Sequence, residues 1–187
     1  QEVSRPLLRE APRTALRCAK CLERKSTDKF NTAIHRKIKG ENIMIQRGTI
    51  NDLNSLTELF DSYRIFYKQE SNLEGAKSFL KERLVNDESV VFIAYEETNP
   101  VGFVQLYPTF SSVSMKRSWV LNDLYVNASA RKKGFGETLI KKAIEFAEET
   151  GAKGVSLETG HDNVTAQSLY EKIGFKKESN YFYYYSL

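Results

Sequence analysis

The chain has 187 residues, 41% hydrophobic and 28% charged, the balance of a globular domain of ordinary size able to bury a core. Its most apolar run, Val90 to Tyr95, is far too short to span a bilayer, and no basic start leads into a signal-peptide core. Neither membrane association nor secretion is expected, and a cytoplasmic location is. The net charge of +4 is unevenly spread: residues 1–43 hold 11 Lys or Arg against 5 Asp or Glu, and the remainder holds 17 against 19, which argues against nucleic acid as a partner of the folded part.

Residues 1–43 show no sustained helix or strand period, and their mixture of Arg, Ser, Thr and Lys predicts a flexible basic extension, with a transit peptide as the other reading. Cys18 and Cys21 have the two-residue gap of a zinc knuckle or redox pair, but His35 is the only further candidate ligand nearby and a structural zinc needs four. No metal is expected. Lys39-Gly-Glu-Asn-Ile-Met44 could be encoded by a purine-rich stretch a few nucleotides before an ATG, as in a bacterial ribosome-binding site. The expectation is a boundary after residue 43, with residues 1–43 upstream or non-native sequence and 44–187 the domain.

From Ile43 to Arg47 the chain is extended. Thr49 and Asp52, three apart, predict a capped helix whose stripe is Leu53, Leu56, Phe60, Tyr63 and Tyr67, ending near Gln69. Asn72 caps a second helix, with Leu73, Ala76, Leu80 and Leu84 inward. Strands are predicted over 89–95 and 101–107, antiparallel across the polar turn Glu96 to Pro100, with Pro108 stopping the second. Residues 110–117 read as a mobile connection, and Ser118 to Val126 as a third strand. A helix from about Gly136 ends at Gly151, a short strand spans 154–158, a helix runs from Asn163 to Ile173, and two aromatic-rich strands close the chain over 175–187.

The stretch from Asn122 to Glu137 is where strand, glycine turn and helix meet. Gly134 and Gly136 stand just before Leu139, Ile140, Ala143, Ile144 and Ala147, one helical face. Glycines there uncover the first amides of the helix, which lack partners within it and carry the positive end of its dipole, so the turn can cradle phosphate. Arg131, Lys132 and Lys133 add positive charge. An ordinary loop and helix cap is the other reading of the same residues.

Two motifs decide between them. Arg131-Lys-Lys-Gly134-Phe-Gly136 matches the Arg/Gln-x-x-Gly-x-Gly/Ala pattern, and Asn163 with Ala166-Gln-Ser-Leu-Tyr170-Glu-Lys-Ile-Gly174-Phe175 matches the Asn and Ala-x-x-Leu-Tyr-Glu-x-x-Gly-Phe pattern, of the GNAT superfamily of N-acetyltransferases. The chain from Met44 onward resembles that family in motif and element order. The resemblance implies an α/β (α+β) fold, a mixed and mostly antiparallel sheet of about six to seven strands with about four helices. It also implies an acyltransferase with acetyl coenzyme A as co-substrate, and a homodimer.

The resemblance places the pyrophosphate on the backbone of Lys132, Lys133, Gly134, Phe135, Gly136 and Glu137, beside Arg131. It places the pantetheine arm along Leu124, Tyr125 and Val126, and has Asn163 and Ala166 help hold the coenzyme. Tyr170 matches the acid that protonates the departing thiolate; a tyrosine packed on the sheet is the alternative. Asp123 is the nearest carboxylate able to take a proton from an amine, or else a structural acceptor. If the strand is regular it shares a face with Trp119, Leu121 and Tyr125.

Residues 107–112 and 121–126 are most similar to the diamine (spermidine/spermine) acetyltransferase branch, which has Glu-Asp where this chain has Asn122-Asp123. Tyr63, Phe66, Tyr67 and Tyr107, with Glu70 and Asn122, are the residues expected to receive a small cationic amine. Core packing is the competing reading of the tyrosines.

Overall fold

The computed structural model describes residues 33–38 and 41–187. Among them, extended segments form one sheet in chain order: β1 (Ile34–Ile38), β2 (Glu41–Arg47), β3 (Val90–Glu96), β4 (Asn99–Ser111), β5 (Lys116–Val126) and β6 (Val155–Ser156). Neighbours pair antiparallel except β5 and β6, which run parallel. The α-helices are α1 (Leu53–Phe66), α2 (Leu73–Val85), α3 (Phe135–Glu149) and α4 (Val164–Ile173). No helix among the described residues is long and apolar enough to cross a membrane.

Local chemistry sets the helix starts. Thr49 and Asp52 close a reciprocal capping box, the Thr49 amide donating to Asp52 Oδ2 at 2.8 Å, and a 3-10 turn leads into α1. Asn72 Oδ1 accepts from the Gly75 amide at 2.8 Å and opens α2. These two helices cover one face of the sheet, burying Leu56, Phe60 and Leu80 against Val91, Ile93 and Phe103. The opposite face takes α3, whose Phe146 packs on Phe92 and Trp119 with ring centroids 5.6 and 5.1 Å apart.

Several expectations are corrected. Pro108 does not stop β4. Pairing with β3 ends at Leu106, so Pro108 is paired only on the β5 side, with Trp119, where its missing N–H breaks no ladder toward β3. The supposed mobile connection is the tip of the β4–β5 hairpin, turning at residues 112–115. Gly102 lets the same hairpin close at its other end, since a Cβ there would stand 2.5 Å from the Tyr125 carbonyl oxygen.

Five of the seven expected strands form. The two expected over 175–187 do not: the segment has no regular structure, and Tyr181 to Tyr185 are exposed. Aromatic residues favour strands only where a partner surface takes them up, and β6 has just two residues paired in the sheet. At the opposite edge β1 pairs with β2. The expected boundary after residue 43 falls between residues of β2. Cys18 and Cys21 lie outside the described residues.

Candidate active site

β5 carries one residue more than the part of β4 it pairs with. Leu121 lies opposite Leu106 and Asp123 opposite Gln105, which leaves Asn122 without a counterpart and makes a β-bulge. Side-chain alternation inverts across it. Trp119 faces α3, its Nε1 donating to Thr150 Oγ1 at 3.0 Å, whereas Tyr125 faces α1, its ring 6.3 Å from that of Tyr63. Asp123 follows Tyr125. A regular strand would have put Asp123 with Trp119 and Leu121; the extra residue moves it to the other face of the sheet.

On that face Asp123 is buried, 5% exposed, and among the described residues its partners are polar and none is a cation. Asn122 Nδ2 donates to Asp123 Oδ1 at 3.1 Å, and the Tyr63 hydroxyl is the second hydrogen-bond partner. Burial raises the carboxyl above the usual carboxylate range, and the two hydrogen bonds pull it only part of the way back. The neighbouring phenols are held protonated. Burial first, then the Asp123 charge, raises Tyr63, and the same two causes push Tyr107 up to about 12. Tyr170 is raised by burial and then by Tyr67.

The structure thus brings together Asp123, Asn122, Tyr63, Tyr67, Tyr107 and Tyr170, drawn from α1, β4, β5 and α4. Tyr67 packs edge-on to Tyr63 with centroids 5.0 Å apart. Phe66 packs edge-on to Tyr67 with centroids 5.3 Å apart but is exposed, beneath the Arg131 guanidinium at 5.3 Å, and Glu70 is exposed, with its carbonyl accepting from Arg64. One residue was missed: Gln105, fully buried, whose Nε2 donates to the Tyr107 hydroxyl. Its signal was a polar side chain between Phe103 and Tyr107 in a strand whose odd-numbered positions face α1.

Pairing between β5 and β6 is limited to Trp119 with Val155 and Val120 with Ser156, so the residues of β5 from the bulge onward lie beyond it. The chain then turns into α3 with Lys132 at φ 64° and Gly134 at φ 100°. Gly134 caps α3 without a side chain, and its carbonyl accepts from the Thr138 amide at 3.0 Å, so the amides of Phe135, Gly136 and Glu137 precede the first intrahelical bond. Left-handed backbone at alternate positions turns amides toward one concave point. A Cβ at Gly136 would meet nothing closer than Leu169 Cδ2 at 3.7 Å, so packing within the protein does not demand glycine there. These features fit a phosphate group.

The side chains of Arg131, Lys133 and Glu137 are tied into the scaffold, and that of Lys132 is exposed. Arg131 Nε donates to the Val126 carbonyl at 3.0 Å, and Lys133 Nζ bridges to Glu96 at 2.5 Å. Glu137 is bonded by Lys141 and Lys172, each at 2.7 Å, which hold its carboxyl down to about 2 and join α3 to α4. What the turn offers a ligand is chiefly backbone. Asn163 Oδ1 accepts from the Ala166 amide at 3.3 Å and caps α4, whose Tyr170 ring stands edge-on to Phe175 at 5.8 Å.

A cleft of about 990 Å³ lies between β6, α4 and the segment after α4; Tyr170 lines it but no residue of β5 does. Among the described residues no group of three His, Cys, Asp or Glu could hold a metal ion.

Residues 53–175 match the model of the acetyltransferase (GNAT) family. An uncharacterized N-acetyltransferase of Bacillus subtilis, YhfO, is 48% identical over 140 residues, covering 75% of this chain and 94% of that protein. A solved probable acetyltransferase is 42% identical with a TM-score of 0.71, over 76% of this chain and 95% of its own. An aminoglycoside acetyltransferase from an uncultured soil metagenomic sample, solved in complex with sisomicin, is 25% identical with a TM-score of 0.68, over 78% and 96%.

Proposed function

The chain belongs to the acetyltransferase (GNAT) family, and on that premise we propose that it acetylates the primary amine of a small cationic molecule, a polyamine, diamine or amino acid, by direct attack in a ternary complex. The observation that carries this reading is the bulge at Asn122, which sets a buried carboxyl without a cationic partner among tyrosines. Acetyl coenzyme A, the family's co-substrate, supplies an activated thioester carbonyl. The amides from Lys132 to Glu137 would hold its diphosphate, and the backbone of Leu124, Tyr125 and Val126 its pantetheine arm, with Asn163 and Ala166 alongside.

The acceptor arrives mostly as ammonium at neutral pH and must lose a proton before attack. Asp123 takes it: an ammonium N–H bond breaks as a carboxyl O–H bond forms. Asn122 and Tyr63 orient the carboxylate, and Tyr63, Tyr67 and Tyr107 offer faces that attract a cation. Tyr170, whose phenol burial keeps protonated, serves as the acid for the leaving group. The solved relative that holds sisomicin favours a small amine-rich acceptor over a peptide. The resemblance also carries a cytoplasmic homodimer into the proposal.

Thiol release from acetyl coenzyme A, measured with diamines, spermidine, amino acids, an aminoglycoside and a lysine peptide, tests the reading. Stimulation by at least one small amine is expected. Stimulation by the peptide alone, or by nothing while acetyl coenzyme A still binds, contradicts it.

A further inference from the structure

Gln105 stands in the middle of β4 between Val104 and Leu106 and is fully buried. Its Nε2 donates to the Tyr107 hydroxyl, while among the described residues its Oε1 is buried without a donor. A buried acceptor without a partner destabilises a fold, and such atoms are few in native proteins. The register places Asp123 directly opposite it. Side chains so paired on one face have Cβ atoms about 5 Å apart, within reach of a hydrogen bond between a carboxyl and a carboxamide.

An ionised carboxylate cannot donate to Oε1, but a protonated one can. We propose that Gln105 is a positioning residue that accepts the Asp123 hydroxyl when that carboxyl carries a proton. The step rests on the proposed role of Asp123 as base. The proton leaves the acceptor's ammonium nitrogen, the N–H electron pair stays on nitrogen, and a carboxylate oxygen of Asp123 becomes O–H and donates to Gln105 Oε1. Ammonium and carboxylate become amine and carboxylic acid, and no further reactant is needed.

The groups around Asp123 then divide by state. Asn122 Nδ2 and the Tyr63 hydroxyl donate to the ionised form, and Gln105 Oε1 accepts from the protonated form. The other titratable groups facing this cluster are Tyr67 from α1, Tyr170 from α4, and Tyr107 from β4 with Arg83 and Glu88 beyond it. Tyr107 fixes the Gln105 nitrogen, which leaves the oxygen end for Asp123.

The test is a titration of the Asp123 carboxyl by carbon-13 NMR in the full chain, with no coenzyme or acceptor present and the signal assigned by its loss in Asp123→Asn. Gln105→Met keeps the length of the side chain and removes the acceptor. Its midpoint is expected about one pH unit lower than in the unaltered protein, a tenfold weaker hold on the proton. If Gln105→Met does not fold, Gln105→Asn, one methylene shorter, should shift the midpoint the same way. An unchanged midpoint overturns the pairing, and a raised one shows that the carboxamide donates to Asp123 through nitrogen. A lowered midpoint combined with full turnover in Asp123→Asn keeps the hydrogen bond and overturns the base.

Discussion

Asp61 in α1 and Asp123 in β5 expose equally little surface, 4% and 5%, but Asp123 lies far deeper, and their carboxyls shift in opposite directions. Asp61 accepts from Ser71 Oγ at 2.6 Å and from the Asn72 amide at 2.8 Å, and Arg64 Nη1 lies 3.5 Å away. Those donors, with Ser71 the largest influence, hold it below the usual carboxylate range. Asp123 has one amide and one phenol and stands above that range because burial prevails. Depth of burial and the count and charge of the donors together set the two carboxyls apart. A well-partnered charge pins the α1–α2 turn, and a sparsely partnered one is left ready to accept a proton.

The comparison breaks most visibly in activity. Asp123→Asn should lower kcat/KM by about two to four orders of magnitude while thermal unfolding at pH 7 shows a Tm equal to or above that of the unaltered protein. Tyr170→Phe should lower turnover by about one to three orders with little change in donor binding measured by calorimetry; unchanged turnover would remove it as the acid. Asp61→Asn should do the reverse of Asp123→Asn, lowering Tm by roughly 4 to 10 °C and leaving kcat/KM of the folded protein within a few fold.

The pH dependence of those Tm changes sharpens the contrast. Asp123, raised in the folded state, favours folding below its unfolded value of about 3.9 and loses that contribution as pH rises through its folded value. Asp61, lowered, contributes above about 3.9 and loses its contribution as pH falls through its folded value. The cost of Asp61→Asn should therefore shrink in acid, and any gain from Asp123→Asn should vanish there. The smallest expected effect is on turnover in a chain starting at Met44, which should stay near that of the full chain even though β1 and buried Ile43 are lost; loss of turnover without unfolding would place residues 1–43 in the working domain.

Much of this arrangement was legible in the sequence, because caps and glycine turns are local. Thr49 with Asp52, Asn72, Gly134 and Gly151 each act where short-range chemistry places them. Tyr63, Tyr67, Tyr107, Asp123 and Tyr170 were candidates individually. Their convergence depends on the bulge, which is a mismatch between two strands and has no mark such as a glycine at Asn122 or at Gln105 and Leu106 opposite it. Gln105 was hidden for a related reason, since its burial follows from the register with β3 and β5. The aromatic run Tyr181 to Tyr185 misled because strand propensity describes fit to a partner surface, and none forms for it here.

The pH profile of kcat/KM with one stimulating small amine, run on the unaltered protein and on Asp123→Asn, tests the role of Asp123 most directly. With the same acceptor in both, its own ionisation cancels. The unaltered protein should show an acid limb from a carboxyl with a midpoint above about 3.9, and the variant should lose that limb along with most of its rate. An identical limb and rate in Asp123→Asn would contradict the assignment.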